Sequence, residues 1–389
     1  PVENVTVDAT VTGTDRFIGG LFGELESTLD NYTITGSVRG GSYVGYLIGI
    51  YRYNTLEGVH LTNPDVSGEN TVGGIVGDLE GNLFNSSVTG DLNVSGSSAG
   101  GIAGSLGYYD RMENVEYTGT ISAQGSAGGI IGYGSRGDLI NATVSGTVNS
   151  AGYNDVGGIM GDAYRTNIQN VTSTASVFGN NRVGGIVGDC SRCDVTNAST
   201  TGDTVNGSFY VGGVAGRQYS GEITQTTTTT TVQGTESVGG LIGIMTYGIL
   251  SQSAAKMDSV NASVKVGGLV GDQNGEVSNS YTTTDVSGST AVGVLVGRNE
   301  DPIENVFGTG TATQSGTTQG AFGENYASDS VVTGVYWDVS ASQNESAQDA
   351  TPLTTSEMQG SSAETNMPNL DYTSIWQTNT GDHPSLRFE

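Results

Sequence analysis

The sequence predicts an all-β chain wound as a right-handed parallel β-helix of about twelve ~27-residue coils. Three observations carry that prediction: a glycine word that keeps returning, a column of asparagines in phase with it, and short β-branched alternation in between. The word is Val72-Gly73-Gly74-Ile75-Val76-Gly77, and counterparts of its first glycine stand at Gly19, Gly45, Gly100, Gly128, Gly157, Gly184, Gly212, Gly239, Gly267, Gly293 and Gly320. Successive words are 26 to 29 residues apart. A period held so tightly means that each repeat is one coil, burying its apolar side against its neighbours.

The asparagine column falls after the turn that follows each word. It runs through Asn4, Asn31, Asn85, Asn114, Asn141, Asn170, Asn197, Asn279 and Asn305, with Gln225 and Gln252 as variants and Gly58 and Thr333 as departures. Coils stack about 4.8 Å apart, so each amide is expected to turn inward and donate to the next as a structural ladder. Between these columns, runs such as Ser87 to Gly96 alternate Val, Leu, Thr and Asn. Such alternation predicts two or three short strands per coil, with glycines at the corners.

Within the word the fourth position is aliphatic in eleven of twelve copies, Ala321 being the exception, and that column is core. The fifth is apolar throughout, from Phe22 through Ile131, Met160 and Val187 to Phe322. Neighbours on a strand face opposite ways. The fifth column therefore either forms an outward lateral stripe that needs a partner, or is turned inward by a bulge.

Composition narrows the function. Forty acidic residues face thirteen basic ones, a net charge of −27, and only Lys256 and Lys265 are lysines. Nucleic acid is excluded as a partner, since it needs a basic face. Acid excess with scarce lysine is similar to the proteins of salt-loving archaea, in which salt screens the carboxylates. No window reaches the ~20 apolar residues of a membrane span. The opening Pro1 to Thr6 reads as the middle of a coil, so the chain is expected to begin inside a longer precursor and its open N-terminal coil to dock on a domain or a second copy.

The word and its period resemble the GLUG-motif repeats of large secreted and surface-anchored bacterial and archaeal proteins. Val335-Tyr336-Trp337-Asp338, Leu353 to Met358, Ile375-Trp376 and His383-Pro384-Ser385-Leu386 resemble the segment that closes such arrays, although that last word usually begins with Tyr where this chain has His383. The resemblance implies a secreted adhesin-like β-solenoid and brings no catalytic residues; the expected location is extracellular, on a cell or virion surface. Residues 1–338 are then the solenoid and 339–389 a C-terminal capping segment, with Trp337, Trp376 and Leu386 plugging the last coil and Thr354 with Glu357 opening a short helix.

Ten Asn-X-Ser/Thr sequons are present. Six lie in the ladder column, where an inward amide carries no glycan; Asn93, Asn206, Asn261 and Asn344 are the expected acceptors. Cys190 and Cys193, the only cysteines, are expected to close a local disulfide, in preference to half a zinc site. Tyrosines gather in the turns after the words, at Tyr51, Tyr53, Tyr108, Tyr109, Tyr133, Tyr164, Tyr219 and Tyr247, and are the expected ligand-binding residues. Aromatic faces beside hydroxyls and carboxylates suit sugars. Acids follow several words directly (Glu24, Asp78, Asp162, Asp189, Asp272, Glu324); they would give Ca²⁺ at most a weak contact, and no other cofactor is expected. The expected function is that of a non-enzymatic extracellular adhesin, fibre or coat component contacting a cell-surface glycan or protein. The alternatives are a glycan-cleaving spike using Asp162 and Asp189, and a structural spacer.

Overall fold

The glycine word is a corner. In the computed structural model, which describes residues 2–152, 154–327, 331–342 and 350–389, strand Thr71–Gly73 ends at the word's first glycine and strand Val76–Thr89 begins at its fifth residue. A Cβ on Gly73 would lie 2.0 Å from the Val76 carbonyl oxygen, and one on Gly77 2.3 Å from the Tyr43 carbonyl carbon. No side chain fits either place, which is why the word is glycine. The bend also interrupts alternation, so Ile75 and Val76 are both fully buried. Ile131, Met160, Val187 and Phe322 of the fifth column are core as well, and only Phe22, in the first word, is partly exposed. The outward lateral stripe does not exist, because a corner turns both columns inward.

The chain forms two compact units, Pro1–Asp194 with Thr201–Asp203 and Val195–Thr200 with Thr204–Glu389, holding seven and five words. Each is an all-β parallel solenoid of ~27-residue coils. In the first unit Thr71–Gly73 pairs in parallel with Ser98–Gly100 one coil on, and Arg111–Ala123 pairs with Asp138–Ser150 from Arg111↔Asp138 to Ala123↔Ser150. In the second, Glu236–Gly239 pairs likewise with Val264–Gly267. The chain's opening strand, Val2–Asp8, lies parallel to Leu29–Thr35.

The asparagine column is a second corner. Asn85, Asn114, Asn141 and Asn170 all have left-handed backbones, with φ between +50° and +55°. Asparagine tolerates that region better than any other residue with a side chain, and glycine better still. That explains Gly58 (φ +70°) and moves the last member from Thr333 to Gly334 (φ +63°), since Glu304 pairs with Thr333 and so places Gly334 opposite Asn305. The amides do form a ladder: Asn114 donates to Asn85 at 3.0 Å, Asn141 to Asn114 at 3.0 Å and Asn170 to Asn141 at 3.1 Å. It stands outside the coil, however. Asn31, Asn85, Asn114, Asn141, Asn170 and Asn197 are exposed, and Asn279 and Asn305 are half-buried. A left-handed corner points its Cβ outward, so the inward ladder and the shielding of its six sequons are both overturned.

The C-terminal segment does not simply close the last coil. Strand Thr351–Leu353 adds in parallel to Tyr336–Asp338, and Trp337 is fully buried. The remainder, helix Gly360–Asn366 and the antiparallel pair Trp376–Asn379 with Asp382–Leu386, lies along the outer side of one sheet of the second unit. There Ala254, Tyr281, Phe307 and Tyr336 occupy one column while their neighbours Ala255, Thr282, Gly308 and Trp337 point inward. Trp376 covers Tyr281 and Phe307, with ring centroids 5.8 and 5.4 Å away, and Glu389 accepts from Lys256 at 2.7 Å and from the Tyr281 hydroxyl at 3.0 Å. Thr354 donates to Glu357 through both its N–H and its hydroxyl at 2.8 Å, but the contact closes a turn and the helix starts later, at Gly360.

Candidate binding groove

Several corners at the glycine word set two side chains face to face, seven residues apart: one two places before the first glycine, the other five places after it. Among these pairs are Thr71 and Asp78, Ser98 and Ser105, Ser126 and Tyr133, Arg182 and Asp189, and Lys265 and Asp272. The registers keep each column continuous within the first unit, as Asp78↔Ser105, Ser105↔Tyr133, Tyr133↔Asp162 and Asp162↔Asp189. What stands in the two columns decides whether the corner is open.

In the middle coils of the first unit four of the six facing positions, Thr71, Ser98, Ser105 and Ser126, are short hydroxyls. The result is a groove of about 440 Å³ lined by Tyr43, Thr71, Asp78, Ser97, Ser98, Ser105, Leu106, Ser126, Tyr133 and Asp162. Ser98 donates to the Gly104 carbonyl at 2.9 Å and Ser105 to Asp78 at 2.5 Å, which fixes the groove floor. Desolvation raises the Asp78 pKa, Glu80 adds to the rise, and the Ser105 hydrogen bond and Arg52 work against it. A row of hydroxyls between two tyrosines, with a carboxylate near each, offers rings for sugar faces and polar atoms for sugar hydroxyls.

Beside it Tyr53, Glu80, Tyr108 and Asp110 line a smaller cleft of about 240 Å³. Arg52 bridges Glu24 and Glu80, the latter at 2.7 Å. Burial, then the charges of Glu80 and Asp78, pushes the Asp110 carboxyl up to about 7. Among the described residues, no group of three or more His, Cys, Asp or Glu is arranged to hold a metal ion. No helix among them is long and apolar enough to cross a membrane.

The eight tyrosines divide. Tyr51 is core, with a hydroxyl that has no hydrogen-bond partner among the described residues and a pKa pushed up by burial to about 12, so it is not a binding residue. Its parity puts it on the inner side of the strand whose outer side carries Arg52. Tyr53, Tyr108, Tyr109 and Tyr133 of the first unit are exposed and Tyr164 is half-buried; Tyr219 and Tyr247 stack edge to face in the second. Asp162 and Asp189 are register neighbours, but Asp189 is only 4% exposed and is held by Arg182 at 2.9 Å, and Arg182 also pairs with Asp155.

Asn93 is exposed; Asn206 and Asn261 are half-buried, donating to Gln233 at 3.3 Å and to Ser259 at 3.0 Å, and Asn344 lies outside the described residues. Cys190 and Cys193 form a disulfide whose residues are fully buried. A feature not read from the sequence is the left-handed turn position shared by Tyr109, Arg136, Arg165 and Arg192 in consecutive coils. Its signal was the spacing of those arginines, which keeps step with the words. Comparisons with protein-family models, with curated proteins and with solved structures find no match to this chain.

Proposed function

We propose that this chain is a non-enzymatic, surface-exposed β-solenoid of the GLUG type, extracellular on a cell or virion of a salt-loving archaeon, which contacts a glycan through the hydroxyl-lined groove. The observation that carries this reading is the groove itself, in which Tyr43 and Tyr133 flank Thr71, Ser98, Ser105 and Ser126. Catalysis by Asp162 and Asp189 is disfavoured, because Asp189 is only 4% exposed and its carboxylate is tied up by Arg182 at 2.9 Å. The test is binding of neutral oligosaccharides to the full chain and to Tyr133→Ala, at molar salt. At least a tenfold loss in the variant, at an unchanged melting point, supports the groove; equal binding, or none by either protein, refutes it. The salt-loving origin has its own check: dialysis to ~10 mM salt, where the Debye length reaches ~30 Å, should lower the melting point of a chain carrying −27.

A further inference from the structure

The first unit carries a column of arginines that its own carboxylates leave alone. Arg39, Arg52, Arg111 and Arg182 each hold an acid there. Among the described residues, Arg136, Arg165 and Arg192 have no carboxylate within ion-pair distance, although the chain has forty acids to thirteen bases.

They are also placed in order. Each occupies the same left-handed turn, with φ of +59°, +54° and +57°, and the backbone links run Arg136 N–H to the Tyr164 carbonyl at 2.9 Å and Arg165 N–H to the Ser191 carbonyl at 3.0 Å. The turn positions that bear the charges therefore repeat once per coil, about 4.8 Å apart. Tyr109 heads the same column, bonded from its N–H to the Arg136 carbonyl at 3.0 Å, and its ring is 86% exposed. Aromatic faces steady the guanidinium groups: Arg136 lies 4.6 Å from the Tyr108 ring centroid and 5.9 Å from that of Tyr164, and Arg165 lies 5.3 Å from Tyr164. Desolvation raises the Tyr164 pKa, but Arg165, Arg136 and Arg192 outweigh it and bring it below the usual tyrosine value, as a concentrated local positive field must.

We propose that the column Tyr109, Arg136, Arg165 and Arg192 binds an acidic polysaccharide, one carrying a carboxylate or sulfate on successive sugars. The exposed Tyr109 ring stacks on a sugar face and each guanidinium takes one anionic group. A pyranose repeat is commensurate with the coil step, so a chain with one charge per sugar runs along the column in register. Nucleic acid fits worse, since its denser charge would extend over a surface of net −27. The site shares with the proposed function the premise of glycan contact, but no residue.

The experiment compares the full chain with the triple variant Arg136→Gln/Arg165→Gln/Arg192→Gln and with Arg165→Glu, alone on an exposed turn. Probes are a polyuronate, dextran sulfate and neutral dextran, at several salt concentrations. The expected result is binding of one or both acidic polymers over neutral dextran, a loss of at least tenfold in both variants at unchanged melting point, and a flatter dependence on salt in the triple variant. The polyuronate and dextran sulfate arms tell carboxylate from sulfate. The Tyr133→Ala variant should keep acidic-polymer binding in full, so failure of the groove and failure of this column are told apart. The proposal is overturned if the wild-type chain does not prefer either acidic polymer to dextran, if the variants bind as the parent does, or if polyaspartate or single-stranded DNA competes as well as the acidic glycan.

Discussion

Two stretches of the same corner can be set side by side. At Thr71 and Asp78, Ser98 and Ser105, and Ser126 and Tyr133 the facing columns leave a groove; at Arg182 and Asp189, and again at Lys265 and Asp272, they close on ion pairs of 2.9 and 2.7 Å. The backbone, the glycines and the spacing of seven residues are common to both. The repeat therefore supplies a standard socket, and the side chains in it decide whether a coil is sealed or presents a ligand surface. Function in such a chain is written in a few columns that vary while the rest repeats.

The comparison makes its strongest claim about what is shared. Gly132→Ala beneath the groove and Gly188→Ala beneath the ion pair should be equally damaging, each by about 3 kcal/mol or more, because a Cβ would meet Ser98 Oγ at 2.3 Å in one and the Val156 nitrogen at 2.4 Å in the other. Denaturant titration of the two variants checks this, and a large inequality would show that the corners differ. Next in size is Arg182→Gln. It removes the guanidinium shared by the buried Asp155 and Asp189 and should cost about 2–4 kcal/mol by thermal melting, whereas Ser126→Ala in the open stretch should stay within about 0.5 kcal/mol.

A smaller effect separates the two stretches by pH. Asp110, beside the groove, titrates at about 7 in the folded chain and near 3.8 unfolded. Between these values the folded state binds the extra proton, so stability should fall as pH rises from about 4 to about 7. Asp110→Asn should flatten that slope and gain about 1 kcal/mol at pH 8, a figure discounted for solvent screening. Melting curves across pH 4 to 8 report it; an unchanged slope would show that the carboxyl is not perturbed. Of similar size is the effect at the asparagine corner, which both stretches share. Asn141→Ala should cost about 1 kcal/mol through left-handed strain, and Asn141→Gly almost nothing. Equal losses in the two would mean that the amide ladder, and not the backbone, holds the corner.

Period, strand content and parallel stacking were legible in the sequence, because the glycines and aliphatics that make a coil recur in phase. The side on which a column faces was less so. Asparagine is favoured both in inward amide ladders and at left-handed corners, and only φ distinguishes the two at Asn114 or Asn141. The fifth word position was read on the assumption of a straight strand, which the bend at Gly74 and Ile75 removes. Tyr51 and Tyr53 look alike in sequence and share strand parity, yet one is fully buried and the other 77% exposed, because the left-handed backbone at Tyr53 (φ +63°) breaks the alternation. Two signals went unread: arginines in step at Arg136, Arg165 and Arg192, and large aromatics at Tyr281, Phe307 and Tyr336 in an outward column that elsewhere carries Thr143 and Thr172.

That aromatic column bears on how the array can change over generations. Repeats of this kind lengthen and shorten by recombination between copies, and a coil gained or lost within the first unit leaves every neighbour with an equivalent face to stack on. The coils bearing Ala254, Tyr281, Phe307 and Tyr336 have no such freedom. They are spanned by one folded segment whose Trp376 and Glu389 reach residues on particular coils, so a duplication there would put threonine where tyrosine is needed or carry Lys256 out of reach. The covering segment acts as a ruler, holding the number of coils beneath it constant while the open coils remain free to multiply.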